Sequence, residues 1–119
     1  MKQMPNLSAF RGTQNYWRLN PGSDVYLTDG VKYLTEELES HWLISAVEYF
    51  LTKKGTNINY PIEIKLNIKS NGDATLVLQN DLGKYGTRKF PSVNFPIEGI
   101  NLIAYPYDRK WIIMLLSEY

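Results

Sequence analysis

Four residues whose types and spacing could do chemistry together are Lys84, Tyr85, Arg88 and Lys89, in the stretch Gly83-Lys84-Tyr85-Gly86-Thr87-Arg88-Lys89. Cations beside an aromatic ring can dock into an acidic pocket of a protein, or hold a phosphate while the ring stacks on a base. The stretch lacks the order G-x-x-x-x-G-K-[ST], so it is no P-loop, and its polarity reads equally well as a solvated hairpin loop. The chain holds nine Tyr and three Trp. Such rings are enriched at protein interfaces because they cover large areas at little rotamer cost. Tyr107 and Tyr105, near the last turn, and Tyr60 and Tyr85, in loops, are expected to be partly exposed, and Tyr107 joins the candidate partner-binding set.

A second surface is acidic. Glu36, Glu37 and Glu39 fall on the outer face of a predicted helix, where they form a solvated face or a contact for a basic partner. A third constellation, Asp29, Lys32 and His41, would be the centre of a small enzyme. His41 is the only histidine and there is no cysteine. That removes thiolate chemistry and the two-His and Cys zinc motifs, so neither a metal site nor a cofactor is expected. A Glu37-His41-Ser45 line follows helical spacing, but no nucleophile elbow or oxyanion loop accompanies it. Thr28-Asp29-Gly30 could offer helix amides to an anion, yet an Asp already fills that positive end, which favours a cap.

The 119 residues with 44% hydrophobic and 21% charged side chains are expected to fold as one domain over 1–119. Net charge is +1, and the two halves are nearly balanced, with six basic and six acidic groups in 1–60 and seven and six in 61–119. No bulk positive field draws phosphate backbones to the chain. Neither an apolar signal core nor a run long enough to span a bilayer is present, so no membrane contact and a cytoplasmic location are expected.

These residues need elements to position them. A short helix or turn is expected around Ser8 to Tyr16, then a loop at Asn20 to Asp24. Thr28 or Asp29 caps a helix that buries Val31, Leu34 and Leu38; Ser40 caps a second one running to about Lys53, unless a single helix continues throughout. The period then changes to two. Ile62, Ile64, Leu66 and Ile68 alternate with Glu63, Lys65, Asn67 and Lys69, and Asn71-Gly72 turns the chain back into Ala74 to Leu78. Further strands are expected at Thr87 to Phe90, Ile100 to Tyr105 and Trp111 to Leu116. The unalternated run Ile112 to Leu116 predicts a central strand or one covered on both faces. The fold class is therefore α+β, an N-terminal helical layer packed on an antiparallel meander of about four to five strands, with Trp42, Phe50, Leu66, Leu76 and Ile113 buried.

Separated motifs also carry a resemblance. Phe10-x-Gly12-Thr13-x-x-Tyr16, then Tyr26-x-Thr28-Asp29-Gly30-Val31-Lys32-Tyr33-Leu34, Trp42-Leu43 and the final Ser117-Glu118-Tyr119 together resemble an uncharacterised family of small bacterial and mobile-element proteins. The resemblance implies no activity. It does imply a gene type, the accessory genes of bacteria and phages. For that type the specific expectation is a small inhibitor of a bacterial defence complex, such as an anti-CRISPR protein, with a CRISPR effector or other defence nuclease as partner in the host cytoplasm. The first functional expectation is thus a non-enzymatic protein-binding module. The second is an RNA or single-stranded nucleic-acid binder using Lys84 to Lys89 with Lys65 and Lys69, and the third is the small enzyme.

Overall fold

The computed structural model describes residues 16–53, 56, 58–95 and 98–118. Phe10, Gly12, Thr13 and the helix or turn expected from Ser8 lie outside them. The described chain runs β1 (Trp17–Arg18), β2 (Val25–Leu27), α1 (Asp29–Glu37), α2 (His41–Thr52), β3 (Ile62–Ile68), β4 (Ala74–Asn80), β5 (Gly83–Phe90), β6 (Gly99–Tyr107), β7 (Lys110–Leu115) and a final 3-10 turn, Leu116–Glu118.

The α+β class holds, with a larger sheet than expected. The strands form one seven-stranded sheet in the order β1-β2-β7-β6-β3-β4-β5, and the helices follow the first two strands instead of opening the fold. Two and three residues are too few for a period-two pattern to show, which is why β1 and β2 escape a periodicity reading. The sheet is mixed, not purely antiparallel: β2 lies parallel to β7, with Tyr26 opposite Ile112, and every other pairing is antiparallel. Parallel neighbours need a long crossover, and the helices and β3 to β6 supply it.

Helix α1 starts at Thr28, whose hydroxyl accepts the amide of Val31. It stops after Glu37 because Glu39 takes a left-handed φ of 51° and Ser40 turns back, its amide donating to the Thr35 carbonyl at 3.0 Å. The Ser40 hydroxyl donates to the Leu34 carbonyl at 2.9 Å and makes no cap bond to α2. The break therefore separates two helices, and the side-chain cap expected of Ser40 is replaced by a tie to the preceding helix.

Both helices cover one face of the sheet. Along β3 and β4, Ile62, Ile64, Leu66, Ala74, Leu76 and Leu78 point inward and are buried, as are Leu102, Ala104, Trp111, Ile113 and Leu115. They meet Val31, Leu34, Leu43, Ile44, Val47 and Leu51 from the helices in one cluster. Each of the buried Val, Leu and Ile side chains contributes about 1.5–3 kcal/mol of transfer free energy. Phe50, Leu66, Leu76 and Ile113 are buried as expected. Trp42 is only half-buried, because it sits at the sheet margin with its ring edge-on to Phe90 at 4.9 Å and Phe95 at 6.0 Å.

Candidate functional site

The stretch Gly83 to Lys89 belongs to a strand, not a loop. It lies in β5, the outermost strand beside β4, and the turn is confined to Asp81 and Leu82. Strand geometry then sends its side chains to different faces. Thr87 and Lys89 pair with Val77 and Thr75 and Lys84 with Gln79, on the face opposite the helices. Arg88 pairs with the buried Leu76 on the helix side and lies over the Phe90 ring at 4.9 Å. Tyr85 is the unpaired residue where the register shifts at Leu78/Gln79, and it packs half-buried against the core. The four residues do not make one patch. Gly86 is needed for packing, since a Cβ there would run into the ring of Phe50.

The sheet face away from the helices carries the more coherent surface. Register aligns Tyr26, Ile112 and Tyr105 in one row and Met114, Ile103, Glu63, Gln79 and Lys84 in the next. A groove of about 760 Å³ opens there, lined by Tyr16, Tyr26, Tyr105, Tyr107, Lys110, Ile112, Met114 and Glu118. Ile112 and Met114 form its floor because β7 is central and, among the described residues, the helices cover only its other face; its burial alternates strictly. The apolar run 112–116 thus lies, up to Leu115, in a central strand, as its lack of alternation predicts, but its outward residues Ile112 and Met114 floor an apolar groove. Tyr107 is 66% exposed at the rim. Lys65, Lys84 and Lys89 lie on the same face, and Lys84 and Lys89 have no ion pair among the described residues, whereas Lys65 reaches Glu63 at 3.8 Å.

The Thr28-Asp29-Gly30 turn is filled from within. Glu118 accepts the Thr28 hydroxyl at 2.6 Å, the Gly30 amide at 3.1 Å and the Leu115 amide at 3.0 Å. Asp29 accepts the indole N–H of Trp17 at 2.9 Å. Lys32 lies over the Trp17 ring at 4.2 Å and pairs with Glu36 at 3.0 Å. His41 is exposed at the first position of α2. Asp29 and Lys32 thus share Trp17 and hold β1 against α1. Glu36, Glu37 and Glu39 are exposed on the helical side, away from Lys65, Lys84 and Lys89. Among the described residues no group of three or more His, Asp and Glu is placed to hold a metal ion, and no helix is long and apolar enough to cross a membrane.

Compared with known families, residues 1–119 match the model described as Family of unknown function (DUF6876). No curated protein and no solved structure matches the chain.

Proposed function

We propose a binding role for this chain, which belongs to the Family of unknown function (DUF6876): it is a non-enzymatic module that takes a protein partner on the open face of its sheet. The observation that carries this reading is the groove, where tyrosines flank an aliphatic floor of Ile112 and Met114. Exposed Tyr and Met beside aliphatic groups are what buried interface centres are made of. The engagement of Asp29 and Lys32 with Trp17 supports a structural role for them over a catalytic one. A small inhibitor of a defence complex would need no more than such a surface, since it works by occupying its partner without turnover.

A second reading, single-stranded nucleic acid, is favoured by one observation: Lys65, Lys84 and Lys89 share this face with the tyrosines, the combination of a stacking platform with backbone-tracking cations. Affinity capture from bacterial cells tests both. The full chain is compared with a Tyr107→Ala/Met114→Gln variant and a Lys65→Glu/Lys84→Glu/Lys89→Glu variant, with and without nuclease. A co-eluting protein lost with the groove variant and insensitive to nuclease supports the first reading. Nuclease-sensitive RNA or DNA lost chiefly with the charge variant supports the second. A partner kept by both variants but lost when Glu36, Glu37 and Glu39 are reversed would move the contact to the helical face.

A further inference from the structure

Two cations converge on the ring of Tyr26 from strands on either side of it. The Arg18 guanidinium, from β1, is 5.8 Å from the ring centre, and the Lys110 ammonium, from β7, is 5.4 Å from it. Arg18 spends its Nε–H on the Ser23 carbonyl at 2.8 Å, and neither cation has an ion pair among the described residues. Glu118, the carboxylate lining the same groove, is already engaged by two donors at the start of α1 and by the Leu115 amide at the end of β7. Two cations beside the groove favour an anion there, and a carboxylate that reaches Lys110, which lines it, gains a charge-assisted hydrogen bond.

We propose that the groove binds an acidic polypeptide segment, a carboxylate meeting Lys110 while a neighbouring apolar side chain settles on Ile112 and Met114. This rests on the protein-binding reading and names the chemistry of the partner. The occupant is a polypeptide and not a nucleic acid for two reasons. The ring of Tyr26 already holds the two cations. The floor of Ile112 and Met114 is aliphatic and suits an apolar side chain better than a base.

Selection of short random peptides displayed on phage against the full chain tests it, with the best peptides measured by fluorescence polarisation on wild type, Lys110→Glu and Ile112→Thr. The expected peptides carry Asp or Glu beside an aromatic or aliphatic residue and lose about tenfold or more in affinity on Lys110→Glu. Exchanging their acidic residue for Lys should restore binding to that variant. Should Lys110→Glu fail to fold by circular dichroism, Lys110→Gln takes its place. Peptides without acidic bias that depend on Ile112 and not on Lys110 would overturn the acidic partner and leave the groove reading standing. Binding of oligothymidylate lost on Lys110→Glu, with no groove-dependent peptide, would overturn both in favour of nucleic acid. Self-association by light scattering, abolished by Lys110→Glu, would make a second copy the occupant and overturn the proposal. So would the absence of any peptide or oligonucleotide binding.

Discussion

The Glu118 carboxylate accepts the backbone amide of Gly30 at 3.1 Å, so the penultimate residue of the chain sits on the amino end of α1. Its other oxygen takes the Thr28 hydroxyl and the Leu115 amide. A negative charge is stabilised where unsatisfied helix amides point, by about 0.3–1 kcal/mol at the surface and more when partly buried. Hydrogen bonds to a charged acceptor add about 1.5–3 kcal/mol. Glu118→Ala should therefore lower stability by roughly 2 kcal/mol in urea unfolding, and Glu118→Gln by less, since its carbonyl oxygen keeps part of the set. An unchanged midpoint for the Ala variant would show that solvent replaces the carboxylate at no cost.

Gly30 is shaped by the same contact. A Cβ there would lie 2.5 Å from Leu115 Cδ1 and 2.8 Å from Glu118 Oε1. In an open helix, alanine would be the better residue by about 1 kcal/mol; here the crowding reverses the sign. Gly30→Ala should destabilise the wild-type chain and should cost less in the Glu118→Ala background, where one of the two obstructing groups is gone. A double-mutant cycle with no coupling would place the obstruction wholly on Leu115.

Much of the fold could be read from the chain because period-two and helical patterns are strong where elements are long. Ile62 to Ile68 and Val31-Leu34-Leu38 are such cases. What could not be read follows from physical causes. Trp17–Arg18 and Val25–Leu27 are too short for a pattern, and their places beside α1 and β7 are set by contacts distant in sequence. Lys84 to Lys89 looked like a loop because an edge strand is exposed and tolerates charge and glycine, with cations on its side chains keeping it from pairing with other chains. The Glu118 contact joins residues far apart in the chain, so local spacing carries no trace of it. The groove had one visible sign, an apolar run without alternation, which fits burial on both faces as well as an exposed apolar floor.

Neighbours in β7 separate packing from surface function. Ile113 is fully buried beneath the helices, while Ile112 faces the groove. Ile113→Ala should cost about 2–5 kcal/mol, the range for cavity formation in a core. Ile112→Thr, on a half-exposed strand position that suits a β-branched side chain, should cost under about 1 kcal/mol. Thermal melts of the two variants check this. Equal losses would mean that the outer face of the sheet is packed as tightly as the inner one.

The β6–β7 hairpin turns through Asp108 and Arg109, whose φ angles are 50° and 63°. Two positive angles suit the twist of a two-residue hairpin, but glycine takes the second position at far lower cost than arginine. The left-handed region costs a side-chain-bearing residue about 1–2 kcal/mol, offset in part by the greater chain freedom of unfolded glycine. Arg109→Gly should raise stability by roughly 0.5 kcal/mol, seen as a higher urea midpoint with unchanged slope. A lower midpoint would mean that the Arg109 side chain contributes more than the backbone relief.

Charge reversal on β5 distinguishes the two faces of the sheet. Lys84→Glu with Lys89→Glu alters only the open face, and Arg88→Glu only the helix side, where the guanidinium lies over Phe90. Both lysines are exposed, so the double change should alter stability by no more than about 0.5 kcal/mol. Arg88→Glu should cost slightly more through loss of the ring contact. Tyr85→Ala is a poor probe of binding, because that ring packs against the core and its loss would disturb the fold. If a protein partner sits on the open face, the double lysine variant should weaken binding mainly through the association rate, as changes to rim charges do. Arg88→Glu should leave that rate unchanged. If single-stranded nucleic acid binds instead, each lysine lost should reduce the logarithmic salt slope of binding by about 0.7. Equal weakening by Arg88→Glu and by the lysine pair would point to the strand edge itself, where side chains of both faces border the outer backbone of β5, the last strand among the described residues.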